Sequence, residues 1–516
     1  MSNKNLVLHI NSHQDYLANS ENHDSEKFNI LFSSITQTFL PLLNMFANLE
    51  ADGIFFKVSM VFTPSLCAML ADPVIQQAYI EWLDKLISFG ETQISKNPNA
   101  EKYLKQLRYA KRDFTETLNQ DILSKIDYYA RRGNIELLAT AATNCFLPHY
   151  IDLPEAINAQ IETGLLSHRN FFSTSPEGFY LPFMGYTQGI ERFIKSYGLR
   201  YTVLDSHGLL FADPVPQAGI FSPARCYNSL MIFPKDNETD ELLFGENGYI
   251  NNEIYLDTNR DVGFEEKLSK ISKFLNSDKM RISTGFKYWT KNNEIYDEQK
   301  ANAQAIIDAT NFLNNKSEKL QNAQDLLKGS DVCDVCVFDS ELFGQKWAEG
   351  LIWLEQIFRQ ANKRDDINLV LYEDLTSDPF SYEKIQPFLS SNEGGGYGEN
   401  LLDSSTGWML RYVRKACERM IDLSSRFIDD TGLKARSLNL GAKEVLLAQS
   451  SDWAKMISSR SFPEYAKKEF TNCIINFTTL FDSLGSNSIS TEWLTNTEKA
   501  HTIFPWINYH IFSPKK

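Results

Sequence analysis

Short polar side chains close several buried apolar runs in this 516-residue chain. Asp, Asn and His often cap helices, so one such residue carries little weight by itself. A set that recurs at most run ends is more selective, because the carboxyl ends of barrel strands converge on the face where barrel enzymes hold their sites. Such groups can bind sugar hydroxyls, and aromatic rings can stack on sugar faces. The residues in question are His9, Asn11, Asn144, Asp205, His207 and Asp339.

One run ends differently. The stretch "GFYLPFMGY" (178–186) has the form of a short buried strand with a Pro-marked turn, and it leads into an amphipathic helix. At the position where an α/β enzyme would present a catalytic group, the chain has Phe183 and Met184. An apolar pair at this position needs an explanation.

The elements that must position these residues follow an alternating pattern. Continuous apolar strands separated by helices predict an α/β fold with a parallel sheet covered by helices. About seven such units favour a barrel over an open sheet. The predicted strands are 6–11, 55–62, 135–144, 178–183, 201–206, 229–234 and 333–339.

Composition shifts predict the domain organisation. We expect a barrel domain over 1–390, interrupted by a Pro-, Gly- and Asn-rich insertion at about 207–255. A Gly-rich loop over 391–404 has the length that often carries function. After it, strongly helical segments predict a C-terminal all-helical domain over 405–516.

Charge and cysteine usage exclude several classes of partner. The formal net charge of −15 and the lack of a long basic run predict no binding to nucleic acid or to an anionic membrane. No apolar stretch approaches the roughly 18 residues of a membrane span, and the N-terminal apolar run is too short for a signal peptide. Seven scattered cysteines argue against a disulfide framework, so we expect a cytoplasmic protein.

Cys333 and Cys336 form a Cys-x-x-Cys pair inside a predicted strand, which favours buried core thiols over a redox motif. A four-cysteine zinc site would need a second pair, and the sequence contains none. We therefore predict neither a metal nor a cofactor.

Four motifs resemble those of the family 57 glycoside hydrolases, in particular their α-1,4-glucan branching enzymes. They are "LVLHINSHQDY" (6–16), "NIELLATAATNCFLPHY" (134–150), "GFYLPFMGY" (178–186) and "CVFDSELFGQKWAEGLIWL" (336–354). The fourth is nearly intact and the most specific. Two C-terminal segments, "LLAQSSDWAKMISS" and "PEYAKKEF", are similar to the helical domain of those branching enzymes.

The resemblance implies an incomplete (β/α)7 barrel with a small inserted domain and a C-terminal helical domain. It also implies an α-glucan substrate and a retaining reaction, in which a third-motif glutamate is the nucleophile and a fourth-motif aspartate is the acid/base. Carried over by position, the acid/base is Asp339, whereas the nucleophile position holds Phe183.

Other motif positions also depart from the family. The second histidine of the first motif is Asn11, the following Pro-Tyr is His13-Gln14, and the second-motif histidine is Asn144. Retaining chemistry needs two carboxylates about 5–5.5 Å apart, and a phenyl ring cannot form a glycosyl-enzyme intermediate. Asparagine still hydrogen-bonds hydroxyls. The sequence therefore predicts a protein that binds α-glucan or a related oligosaccharide without retaining catalysis.

Further residues complete the predicted binding site. Asp205, His207 and Glu341 would hydrogen-bond sugar hydroxyls. Asp452 and Trp453 would line the groove from the helical domain, and Trp347 and Trp408 are stacking candidates.

Two alternatives stay open. In the first, the chain is an active branching or hydrolytic enzyme of low or altered chemistry centred on Asp339, and Asp205 could be an inverting partner. Otherwise it is a purely structural partner whose groove is filled by Phe183 and Met184. The sequence identifies no protein partner.

Overall fold

The computed structural model describes residues 3–18, 22–97, 99–275 and 281–515. Its centre is a curled sheet that carries every strand predicted above. The strands are β1 Lys4–Ser12, β2 Val58–Phe62, β3 Ile135–Thr140, β4 Gly178–Tyr180, β5 Tyr201–Leu204, β6 Ala224–Arg225, β7 Met231–Pro234, β8 Val332–Asp339 and β9 Asn368–Leu369.

The strand order is β6-β7-β5-β4-β3-β2-β1-β8, and β9 pairs with β1. Seven of these strands form a parallel series from β8 through β1 to β7, while β6 is antiparallel to β7. Between β7 and β8 the barrel has no strand ladder, and the backbone N–H of Asp236 donates to the carbonyl of Val335 at 2.8 Å. This confirms the predicted incomplete (β/α)7 barrel.

Helices cover the outside of the barrel. They are α1 Glu26–Ser34, α2 Leu40–Ala51, α3 Pro64–Ala71, α4 Pro73–Gln93, α5 Ala100–Arg112, α6 Ile122–Arg131, α7 Pro154–Phe171, α8 Ile190–Ser196, α9 His207–Leu210, α10 Glu238–Phe244, α11 Val262–Glu265, α12 Leu268–Leu275, α13 Glu298–Leu326 and α14 Gly350–Ala361. The C-terminal region is helical, as expected, with α15 Gly407–Arg426, α16 Gly432–Ala448, α17 Asp452–Ser458, α18 Pro463–Ser486 and α19 Thr491–Ala500.

The two faces of β1 show how the strand period places the site. Leu6, Leu8 and Ile10 are buried against the helices, whereas Val7 belongs to the separate cluster inside the barrel. Because side chains alternate along a strand, His9 and Asn11 share the inward face with Val7. Asn11 stands at the upper end of this face and His9 lies one step deeper.

The continuous helical stretch Glu26–Ala51 is long and apolar enough to cross a membrane by length and composition, which the sequence analysis had not expected. Of its most apolar window, 61% is buried in the structure. Phe28, Phe32 and Phe46 from this stretch are fully buried in the main core. The apolar character of the stretch is therefore accounted for by packing against the barrel.

Candidate functional site

A cavity of about 370 Å³ opens at the carboxyl ends of the strands. Its lining is dominated by carboxylates, carboxamides and cations, with few apolar side chains. The groups that face it include Asn11, His13, Gln14, Asp15, Asn144, Tyr180, Phe183, Asp339, Glu341, Lys346, Asn392, Glu393, Asp452 and Lys455. We call this cavity the groove.

Asp339 reaches the groove from the end of β8. The parallel register pairs it with Asn11 on β1, and the Asn11 Nδ2 donates to the Asp339 Oδ1 at 3.2 Å. The Asp339 side chain is exposed to the groove. Glu341 follows it and forms an ion pair with Lys346 at 2.9 Å. The carboxylate at the acid/base position is therefore accessible to a ligand.

Asp452, the first residue of α17, connects the helical region to the barrel. It lies 3.0 Å from the Nε2 of His13 and accepts a hydrogen bond from the Nδ2 of Asn144 at 2.7 Å. Burial acts to lower the pKa of His13, but the Asp452 carboxylate outweighs it and raises that pKa above its ordinary value. Burial likewise opposes ionisation of Asp452, yet His13 and Asn144 hold its pKa below the usual range. We infer an ionic pair that fixes one wall of the groove.

Phe183 occupies the turn that follows β4. Its backbone is left-handed (φ 56°, ψ 20°), a conformation that costs a non-glycine residue about 1–3 kcal/mol. The carbonyl of Phe183 accepts hydrogen bonds from the Asn392 N–H at 2.9 Å and the Ser391 hydroxyl at 2.8 Å, which hold the turn. The ring packs with Phe146 and Leu401 and lines the groove. Met184 turns into the barrel interior instead, so this pair does not fill the groove.

Glu393 and Lys455 are groove residues that the sequence analysis did not single out. The Nζ of Lys455 lies 2.7 Å from the Oε2 of Glu393 and 5.3 Å from the centre of the Phe183 ring. Lys455 could have been found from its position three residues after Asp452 on one helix, since residues three apart share a face. Glu393 lies in the loop flagged for its glycines, but nothing in the sequence indicates which loop residue points inward.

His9 was predicted to bind ligand, and the structure places it elsewhere. The ring is 0% exposed, and the rings of Tyr180 and Tyr372 lie 5.1 and 5.7 Å from it. Neither ring nitrogen has a hydrogen-bond partner among the described residues, and burial lowers the pKa of His9 to about 3. Its position one step below Asn11 on the inward face of β1 closes it off from the groove.

This burial predicts an acid-dependent loss of stability. The folded pKa of about 3 lies below the ordinary value of 6.5, so only the unfolded chain takes up this proton as the pH falls from 6.5 toward 3. The free energy of unfolding should therefore drop by roughly 1 kcal/mol per pH unit on account of His9. Urea unfolding of His9→Phe between pH 7 and 4 should show a shallower decline than the wild type. A His510→Phe variant, altered at a half-buried histidine of the C-terminal region, is the control. Equal slopes for the wild type and His9→Phe would contradict the prediction.

Two of the tryptophans that were predicted to line the groove or to stack on a sugar are in the core. Trp347 is 1% exposed and packs against Tyr255 and Trp353. Trp453 is 3% exposed, and its Nε1 donates to the carbonyl of Leu447 at 2.8 Å. Both lie on amphipathic segments whose buried faces the sequence could not distinguish from a ligand-facing side. Trp408 is 39% exposed but does not line the groove.

Asp205 and His207 also lie outside the groove lining. Asp205 Oδ1 lies 2.8 Å from His207 Nδ1 and accepts from Asn237 Nδ2 at 2.8 Å. The other ring nitrogen of His207 lies 2.7 Å from the carbonyl of Gly396. The Asp205–His207 pair therefore anchors the Gly-rich loop that carries Glu393. Asp205 was expected to bring a carboxylate to the groove, and Glu393 does so instead.

The fold and the site together define an incomplete β/α barrel with a polar, carboxylate-bearing groove over its strand ends. The model of "Glycosyl hydrolase family 57" matches residues 7–386, and that of "1,4-alpha-glucan branching enzyme, C-terminal" matches residues 412–512. The chain therefore belongs to glycosyl hydrolase family 57, as its motifs indicated.

Named relatives agree with this assignment. The chain is 26% identical to the 1,4-alpha-glucan branching enzyme TK1436 of Thermococcus kodakarensis, over 85% of this chain and 67% of that protein. Among solved structures it is similar to the alpha-amylase AmyC of Thermotoga maritima, with a TM-score of 0.92, 28% identity and 100% of both chains covered. The crystal structure of TK1436 has the same fold, with a TM-score of 0.87 at 22% identity, covering 99% of this chain and 97% of that one.

Proposed function

We propose that this protein binds α-glucan, or a related oligosaccharide, and does not carry out retaining glycoside chemistry. The single observation that carries the proposal is an open groove with Asp339 at the acid/base position and Phe183 at the nucleophile position. A scaffolding or regulatory role in cytoplasmic glycogen metabolism would fit such a protein. The described cysteines are free thiols, which agrees with a reducing compartment.

The groove lining supports binding. Asn11 and Asn144 each keep one carboxylate in place and retain a carboxamide oxygen that can accept from a hydroxyl. Tyr180 and Phe183 supply aromatic surface at its floor. A groove that is polar, open and aromatic at its base suits a sugar chain. A filled groove would have favoured the alternative that the protein is a purely structural partner.

Affinity electrophoresis in gels that contain amylose tests this binding. The wild type should be retarded, and Asn11→Ala/Asp339→Ala should be retarded at least tenfold less, because two groove hydrogen-bonding groups are lost. Asp422→Ala, which removes an exposed carboxylate from α15, is the matched control and should migrate as the wild type does. Equal migration of all three proteins with and without amylose would contradict the proposal.

A second candidate function rests on Glu393. Its carboxylate lines the same groove as Asp339, so the pair could act in an inverting hydrolysis, with Asp339 as acid and Glu393 as the base that activates water. Inverting pairs stand about 6.5–9.5 Å apart. The name of the AmyC relative, an alpha-amylase, is compatible with hydrolysis. The ion pair with Lys455 argues against it, because the Glu393 carboxylate is already engaged with the Lys455 ammonium at 2.7 Å.

Reducing-end release from amylose separates the two candidates. Under the inverting hypothesis the wild type hydrolyses amylose, and both Glu393→Gln and Asp339→Ala lose this activity. Under the binding hypothesis all three proteins stay at the background level.

A further inference from the structure

A second cavity, of about 450 Å³, lies among the outer helices and shares no lining residue with the groove. Its walls come from α2, α4, α5, the start of α13, α14 and the segment 256–287. We call it the helix-side cavity, defined by Thr36, Gln37, Asn48, Trp82, Gln106 and Asn302 among its lining residues.

Two π-helical turns shape this cavity. Ile35–Phe39 joins α1 to α2, and Asp113–Thr117 follows α5. Thr36 and Gln37 from the first turn and Asp113 from the second line the cavity. π-helical turns are rare and occur frequently at functional sites. Two such turns at one cavity indicate more than a packing gap.

Polar groups in the lining lack partners. The carboxamides of Gln37, Asn48, Gln106 and Asn302 make no side-chain hydrogen bond to other residues within the described ranges. The Trp82 side chain is 5% exposed, and its Nε1 also has no partner there. The carboxamides of Asn48 and Gln106 are exposed, so they are open to the hydroxyl groups of a ligand in the cavity.

Four of the five charged side chains in the lining have an ion-pair partner, and the fifth, Lys287, has none among the described residues. Lys102 pairs with Glu298 at 2.8 Å, and Glu355 pairs with Arg359 at 2.7 Å. Asp113 lies 3.0 Å from Arg112. Much of the remaining wall consists of aliphatic and aromatic side chains, among them leucine, methionine, tyrosine and phenylalanine. Free carboxamides beside apolar and aromatic surface suit a neutral ligand that presents both hydroxyls and C–H faces.

We propose that the helix-side cavity binds a neutral oligosaccharide chain at a site separate from the groove. The loop after β8 connects the two sites, because Asp339, Glu341 and Lys346 line the groove while Gly344 and Ala348 line the helix-side cavity. A glucan held at both sites would pass along this loop. The site requires no chemistry at Asp339, so it stands whether or not the groove binds or turns over glucan.

Calorimetric titration with maltoheptaose tests the proposal in a background that disables the groove, Asn11→Ala/Asp339→Ala. Binding should persist in this background and weaken about tenfold when Asn48→Ala and Gln106→Ala are added, because two neutral hydrogen bonds are lost. Both side chains are exposed and have no hydrogen-bond partner in the part of the chain that the structure describes, so folding should be unaffected. Asn315→Ala/Asn496→Ala, two exposed carboxamides outside the cavity, is the matched control.

The possible outcomes are distinct. Binding that is lost in the groove background leaves the proposed function intact and overturns the helix-side site. Binding that persists in the Asn11→Ala/Asp339→Ala background but is not weakened by Asn48→Ala/Gln106→Ala also overturns the helix-side site. Maltoheptaose binding that depends on Asn48 and Gln106 but not on Asn11 and Asp339 supports the site and counts against glucan binding in the groove.

Discussion

Replacing Phe183 by glutamate should raise turnover on amylose by roughly 10²-fold or more, because loss of a covalent nucleophile costs on the order of 10⁴–10⁶ in other enzymes. The turn that would present this carboxylate is already formed and held by Ser391 and Asn392. Asp339 is exposed across the groove, and the ammonium of Lys455 lies over the ring that the carboxylate would replace. That cation should keep the new carboxylate ionised.

Branch formation and reducing ends should be followed together for this variant. Phe183→Gln introduces a side chain of the same shape as glutamate but without a carboxylate nucleophile. This variant and Phe183→Glu/Asp339→Ala should both stay at the background rate. Asn11→His and Asn144→His restore the family residues at two further motif positions and should increase the rescue. The triple variant combines Phe183→Glu with Asn11→His and Asn144→His. If neither Phe183→Glu nor this triple variant gains turnover that depends on Asp339, the missing nucleophile is not what limits catalysis.

Replacing Asp452 by alanine should lower the free energy of unfolding by roughly 3 kcal/mol near pH 6, because it leaves a buried histidine charge unpaired. Asp452 and His13 are only 10% and 21% exposed at their side chains, and Asn144 and Ser450 also lose their acceptor. The same change removes the bonds from the Asp452 side chain to His13 and Asn144 at the barrel end. Glucan binding should weaken together with stability.

The pH dependence of this difference identifies the pair as its source. The raised pKa of His13 means that its contribution is complete below 6.5 and is lost as the pH rises through the folded pKa. The lowered pKa of Asp452 means that its contribution is complete above 3.8 and is lost as the pH falls through the folded pKa. The stability gap between wild type and Asp452→Ala should thus be largest between about pH 4 and 6.5.

Urea unfolding at pH 6 and pH 9 measures this gap. It should be smaller at pH 9, because the contribution of His13 is lost as the pH rises through its raised pKa. Asp422→Ala removes a surface carboxylate that pairs with Arg426 and should change stability by at most about 0.5 kcal/mol at either pH. A gap of the same size at both pH values would show that the Asp452 side chain acts through packing alone.

The strand ends were the most predictable part of the site. Asn11 and Asp339 follow from strand period and parallel pairing, and the register places them opposite each other. His9 shares that inward face, and only the depth of the barrel and the rings of Tyr180 and Tyr372 decide that it is closed off. Depth is a tertiary property that periodicity does not encode.

Residues brought in from outside the barrel were less predictable. Asp452 was expected from the resemblance to branching enzymes, but its pairing with His13 joins positions far apart in sequence. Glu393 reaches the groove because its loop is tied to Phe183 and anchored by His207 at Gly396. Trp347 was misassigned because an aromatic residue on an amphipathic segment has the same pattern whether it faces core or ligand.

The central claim is that the groove binds glucan without retaining chemistry, and product analysis of the wild type on amylose tests it most directly. New α-1,6 linkages and reducing ends should be counted by NMR for wild type and Asp339→Ala, at protein concentrations where amylose-gel retardation shows binding. We predict that wild type is retarded by amylose yet forms no more of either product than Asp339→Ala does. Branch points or reducing ends that the wild type produces and Asp339→Ala does not would contradict this account.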